Sequence, residues 1–232
     1  MPATSRSPRP RPTRRSFVSN YLSWEADIRR LILASAISLA LTACSSIGGG
    51  GLGSGYSLVR ARERAVGDGS MLVTPRAEWN RRSTIIFDDI RQVEDWTQNG
   101  PVLDSLSFVS GLKDGKSIVR QSRRADSQVP RFRSSMTAPE IAAMLETFYR
   151  TRAGTIDFKT VGLAPRPFLG TNGFQLDFDH LDSDEVWRRG RAVGTVANGR
   201  LYLILLDAVR SHYFATGLPE FEVVVNSARL KG

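Results

Sequence analysis

The chain has 232 residues, with 32 basic and 23 acidic side chains and a formal charge of +9. Seven arginines fall within residues 1–43 against one glutamate and one aspartate, so the remainder carries only about half of that charge. With no aromatic-rich basic motif beyond the leader, a nucleic-acid partner is excluded, and a single cysteine excludes an internal disulfide.

Residues 1–15 are rich in proline, arginine and serine, a composition that predicts disorder. Thr13-Arg14-Arg15-Ser16-Phe17-Val18 looks like a twin-arginine export signal, although Glu25 and Asp27 interrupt the path to the apolar run. A translation start further downstream is the expectation, and peptides from residues 1–20 in a cell lysate would overturn it. Arg29-Arg30 then precede the uncharged run 31–43. A membrane-spanning helix needs about 20 apolar residues, so the run is too short to span. A basic start, a short apolar stretch and small residues before a cut describe a secretory signal. Leu41-Thr42-Ala43-Cys44 resembles the lipobox of bacterial prolipoproteins, which implies cleavage between Ala43 and Cys44 and lipidation of the Cys44 thiol. Residues 44–55 continue as a Gly/Ser tract. Glycine loses much entropy on ordering, so the tract reads as a flexible tether, and a core cysteine has no reason to precede it.

The domain is expected over residues 56–232. Residues 83–93 read as a strand leading toward Trp96. Residues 102–109 alternate, with Val102, Leu106 and Phe108 on one face and Asp104 as the odd member. Asp114-Gly115 predicts a hairpin with a return strand starting at Ile118-Val119. Thr137, Pro139 and Glu140 form a helix start with a capping box. Ile141, Met144, Leu145 and Phe148 supply its apolar stripe, and Gly154 marks its end. Phe174, Leu176 and Phe178 alternate with polar residues as a half-buried strand. Residues 186–196 form another, and Asn198-Gly199 turns into 201–206. That run is apolar on both faces and reads as a covered central strand. A second helix begins near Pro219 and carries Phe221, Val224, Val225 and Ala228. The class is α+β, an antiparallel β-sheet packed against helices.

The closing passage runs through Asn198-Gly199-Arg200-Leu201-Tyr202-Leu203, Tyr213-Phe214, Leu218-Pro219-Glu220-Phe221 and Asn226-Ser227-Ala228-Arg229. It resembles the C-terminal end of PsbP-like domains over roughly the last 60 residues. The resemblance implies an α/β sandwich and a binding or assembly role without catalysis. The whole chain is also similar to envelope lipoproteins of proteobacteria.

Candidate chemistry is sparse. Asp177, Asp179, His180, Asp182, Asp184 and Glu185 form an acidic cluster, but its spacing does not match a calcium loop, so it reads as a solvated strand end and no metal is expected. His180 and His212 are the only histidines. No nucleophile elbow or zinc-protease motif accompanies them, and His212 at a strand-to-helix junction is expected to make a structural hydrogen bond. The Gly-x-Gly-x-x-Gly match at Gly48 follows no strand. Trp187, Arg188, Arg189 and Arg191 are the candidate binding group, suited to anionic lipid or lipopolysaccharide phosphates; Arg123, Arg124, Arg131 and Arg133 form a second basic stretch. The expectation is a lipid-anchored envelope lipoprotein facing the periplasm. Ser45 after the cysteine implies, by the family resemblance, export to the outer membrane. Its role is non-enzymatic, its partner an envelope protein or anionic lipid, with no cofactor. The alternatives are a periplasmic hydrolase using His180 or His212 with nearby acids, and an inner-membrane protein held by residues 31–43.

Overall fold

The computed structural model describes residues 55–83, 90–121 and 128–232. The lipobox, Cys44, the apolar run and most of the tether lie outside them, as do Arg123 and Arg124. The strands are β1 (Tyr56–Val59), β2 (Arg64–Val66), β3 (Met71–Val73), β4 (Trp79–Arg82), β5 (Val93–Thr97) and β6 (Asp104–Lys113). Helix α1 (Ala138–Phe148) and a π-helical turn (Tyr149–Ala153) follow. Then come β7 (Thr155–Pro165), β8 (Gly173–Asp182), β9 (Trp187–Ala197), β10 (Arg200–Val209), α2 (Tyr213–Ser227) and β11 (Arg229–Leu230). Eight strands make one antiparallel sheet in the order β1-β4-β5-β6-β10-β9-β8-β7, and β11-β3-β2 make a small second sheet. This is the expected antiparallel sheet packed against helices.

Strand β10 lies at the centre because both of its faces are apolar. Tyr202, Ile204, Leu206 and Ala208 point into a core shared with α2 and the small sheet. Leu201, Leu203 and Leu205 point the other way, into a core shared with α1. The alternation of a strand delivers each side chain to its layer. Asn198 and Gly199 take positive φ values of 51° and 70° and close the β9–β10 hairpin, the backbone such two-residue turns require. On β8, Phe174, Leu176 and Phe178 are buried toward α1. The Phe178 ring lies across Gly190 of β9, so a methyl group at 190 would overlap the ring. Gly190→Ala is therefore expected to lower stability by about 1–3 kcal/mol, the usual cost of overpacking, read from a denaturant titration; an unchanged midpoint would contradict this packing.

Helix α1 starts where the sequence placed it. The Glu140 carboxylate accepts hydrogen bonds from the Thr137 backbone N–H (2.7 Å) and hydroxyl (2.9 Å). Ile141, Met144 and Leu145 are buried against the sheet. Gly154, at φ 71°, ends the π-helical turn that extends the helix.

Three expectations are corrected, and a fourth falls mostly outside the described residues. Val102 stands outside β6 and is 62% exposed. The return strand at Ile118-Val119 does not form, because Gly115 and Lys116 bond instead to the backbone of Phe132, at 2.8 Å each. Helix α2 begins at Tyr213, six residues before Pro219. Pro219 and Ala215 both lie on the exposed side, where water takes over the carbonyl that proline leaves without a donor. Of the strand expected over 83–93, residues 84–89 lie outside the described residues, and Val93 already opens β5. Trp96 itself lies within β5.

Candidate functional site

A cavity of about 320 Å³ opens on the α1 face of the sheet, toward the β1 edge. Its floor follows from strand register. Val93 stands opposite Val109, and Asp95 opposite Ser107. Leu205 neighbours Ser107, and Asp207 neighbours Ser105. Cross-strand partners share a face, so these residues form adjoining rows. The walls are Leu145 and Phe148 of α1, Tyr149 and Arg152 of the π-helical turn, and Ile118 and Val119 of the segment that failed to become a strand. Arg82 of β4 closes the far side and pairs with Asp95 at 2.6 Å. Most of the lining is apolar, with a smaller polar side, the composition of a small-molecule site.

Behind the polar side runs a buried chain of hydrogen bonds. Tyr149 donates its hydroxyl to Asp207 Oδ2 at 2.8 Å. Asp207 Oδ1 meets His180 Nε2 at 2.9 Å. His180 Nδ1 meets Asp182 Oδ1 at 2.8 Å. Asp182 also accepts from the Thr155 hydroxyl at 2.7 Å and from Arg188 Nη1 at 3.0 Å, and Arg188 continues to Asp184 at 2.7 Å. Both imidazole nitrogens face carboxylates, so both act as donors when the ring is protonated. Burial disfavours the charged ring, yet the bonds and charges of Asp207 and then Asp182 outweigh it and raise the pKa of His180 above its ordinary value. Burial, followed by the Asp207 charge, pushes the Tyr149 hydroxyl well above the usual range. Hydrogen bonds from Arg188 hold Asp184 down to about 2.

The reading of this cluster as a solvated strand end is therefore corrected for His180, which is 0% exposed, and for Asp179, which is 8% exposed. His180 continues the inward row of Phe174, Leu176 and Phe178, and Tyr149 packs on its ring with centroids 4.7 Å apart. Asp179 lies on the opposite face between Arg189 (2.7 Å) and Arg210 (3.2 Å).

Of the four residues of the candidate binding group, Trp187, Arg189 and Arg191 share one face of β9 and Arg188 lies on the other. Strand alternation sends Arg188 to the α1 face and Arg189 and Arg191 to the other. Arg189 donates to Asp179, and Arg191 to Asp177 at 2.6 Å and Glu222 at 3.2 Å. Trp187 is flanked by the cations of Lys159 and Arg210, 5.0 and 5.1 Å from its ring centre. Arg131 donates to the Gly115 carbonyl and Arg133 pairs with Glu140. His212 caps α2 through its backbone carbonyl, which accepts from Thr216 at 3.2 Å, and its ring stands edge-on to Tyr213. Among the described residues no group of three or more His, Cys, Asp or Glu side chains is placed to hold a metal ion. No helix among them is long and apolar enough to cross a membrane.

Sequence reasoning missed Asp207, Tyr149, Ser105 and Ser107. A signal existed for Asp207 alone: a carboxylate that extends an all-apolar central strand has to find a buried partner.

No protein-family model matches the chain, and no curated protein matches its sequence. Solved structures do resemble it. Cyanobacterial PsbP from Synechocystis sp. PCC 6803 aligns with 80% of this chain and 99% of its own, at 18% identity and a TM-score of 0.49. A protein of unknown function from Pseudomonas aeruginosa aligns with 73% of this chain and 92% of its own, at 12% identity and a TM-score of 0.37. LpqN, involved in cell envelope biogenesis of Mycobacterium tuberculosis, aligns with 78% of this chain and 88% of its own, at 11% identity and a TM-score of 0.31.

Proposed function

We propose that the chain is a bacterial envelope lipoprotein, anchored by acyl groups on Cys44, whose α+β domain binds its ligand in the cavity beside α1. The observation that carries the binding role is the cavity itself: about 320 Å³, mostly apolar with a smaller polar side, built on strands, a helix and the segment at Ile118-Val119. The anchor rests on the leader, where Leu41-Thr42-Ala43-Cys44 follows a basic pair and a short apolar run. One acyl chain binds a membrane marginally and two or more anchor it stably, and the family to which the lipobox points carries three. The same resemblance and Ser45 favour the outer membrane. Binding is favoured over hydrolysis because both ring nitrogens of His180 are taken up by carboxylates, which leaves no lone pair to activate a nucleophile. The cavity is favoured over the arginine group because Arg188, Arg189 and Arg191 already face intramolecular carboxylates.

Cys44→Ser tests the anchor. The expected result is loss of signal processing and a change in membrane attachment, followed by fractionation and mass measurement of the N-terminus. Normal processing or unchanged attachment would contradict it.

A further inference from the structure

The polarity of the cavity narrows what it holds. Its lining contains two arginines, Arg82 and Arg152, and two aspartates, Asp95 and Asp207, so its formal charge cancels. Asp95 is paired with Arg82, and both oxygens of Asp207 are occupied, one by His180 and one by Tyr149. A charged ligand group would enter a wall whose charges are already balanced, and burying a charge without a partner is costly. Ser105 and Ser107 differ from these. Both line the cavity, and among the described residues neither hydroxyl has a hydrogen-bond partner. They stand two positions apart on one strand, about 7 Å along it, within reach of a head bearing two hydroxyls. Val109, Ile118, Leu145 and Phe148 form an apolar part of the lining suited to a hydrocarbon chain.

We infer that the cavity takes a neutral amphiphile: a short apolar chain against α1 and an uncharged, hydroxyl-bearing head hydrogen-bonded by Ser105 and Ser107. The inference rests on the binding role proposed above and supplies its ligand class. A volume of about 320 Å³ lies at the small end of the usual range of roughly 300–1,000 Å³, so a single chain is accommodated.

The test is calorimetric titration of the full-length Cys44→Ser chain, which has no acyl group to compete, with three probes of equal chain length. These are 1-decanoylglycerol, decanoate and decyltrimethylammonium, each below its aggregation concentration. One-site saturation by 1-decanoylglycerol is expected, at least tenfold tighter than by either ion. The double variant Ser105→Ala/Ser107→Ala is expected to weaken the glycerol ester about tenfold, and Ser107→Thr, which keeps the hydroxyl, to retain it. Thermal unfolding of each variant verifies the fold. Tighter or equal binding of an ionic probe, no binding of any probe, or an unweakened double variant would overturn the inference. Crosslinking from the cavity in intact cells under any of those outcomes would leave the broader binding role standing with a different ligand.

Discussion

Replacing His180 by alanine is expected to lower the free energy of unfolding by about 3–5 kcal/mol at pH 6, read from urea denaturation. The imidazolium is fully buried between Asp207 and Asp182. Its removal leaves two inward-facing carboxylates with Arg188, Thr155 and Tyr149 as their remaining partners, and breaking a buried pair costs far more than forming it gains. The sign with pH is fixed by the direction of the shift. Because the folded pKa is raised, the contribution of His180 is fully present below its ordinary value of about 6.5. It is lost as pH rises through the folded value. The native protein therefore loses stability with rising pH above that point more steeply than His180→Ala does. Parallel pH profiles, or an unchanged midpoint at pH 6, would contradict this assignment.

Replacing Trp96 by alanine tests the opposite core and is expected to cost about 3–5 kcal/mol, the range for emptying a buried aromatic site. Trp96 is 1% exposed and packs on Phe108 with centroids 4.5 Å apart. The Arg64 guanidinium lies 5.5 Å from its ring centre. Its indole N–H donates to Glu94 Oε1 at 2.8 Å, and Glu94 is itself buried, accepting from the Gly67 backbone at 3.0 Å. The substitution thus removes packing and a charge-assisted hydrogen bond together. A loss below about 1 kcal/mol in the denaturation midpoint analysis would show that this layer is not packed as described.

The elements legible in the sequence are those specified locally. Thr137, Pro139 and Glu140 announce α1 because capping is chemistry within four residues. The alternation of Phe174, Leu176 and Phe178 and the double-faced run 201–206 announce β8 and β10 because burial imprints its period on the chain. The misreadings come where a local signal competes with distant partners. Asp114-Gly115 does turn, yet β6 already has β5 and β10 as neighbours, leaving no edge for a return strand at Ile118. Pro219 suggests a helix start, yet the burial of Phe214 extends α2 one and a half turns earlier, where an exposed proline is tolerated.

The candidate site was less legible for the same reason. Arginines close in sequence on β9 suggested a single patch, but a period of two places Arg188 on one face and Arg189 and Arg191 on the other. The cavity draws on β4, β5, β6, β10, α1 and the segment at Ile118-Val119, and no spacing within one segment records such a convergence. Ser105 and Ser107 alternate with Leu106 and Phe108 along one strand, and only register sets them beside Asp207 and Leu205.

The most direct test of a tethered domain that binds through this cavity is site-specific photocrosslinking in intact cells. p-Benzoylphenylalanine replaces Phe148 at the cavity wall in one strain and Tyr213, on the opposite face, in another. An ultraviolet-dependent adduct is expected from position 148 and none from position 213. Adducts from 213 alone, or equally from both positions, would contradict it.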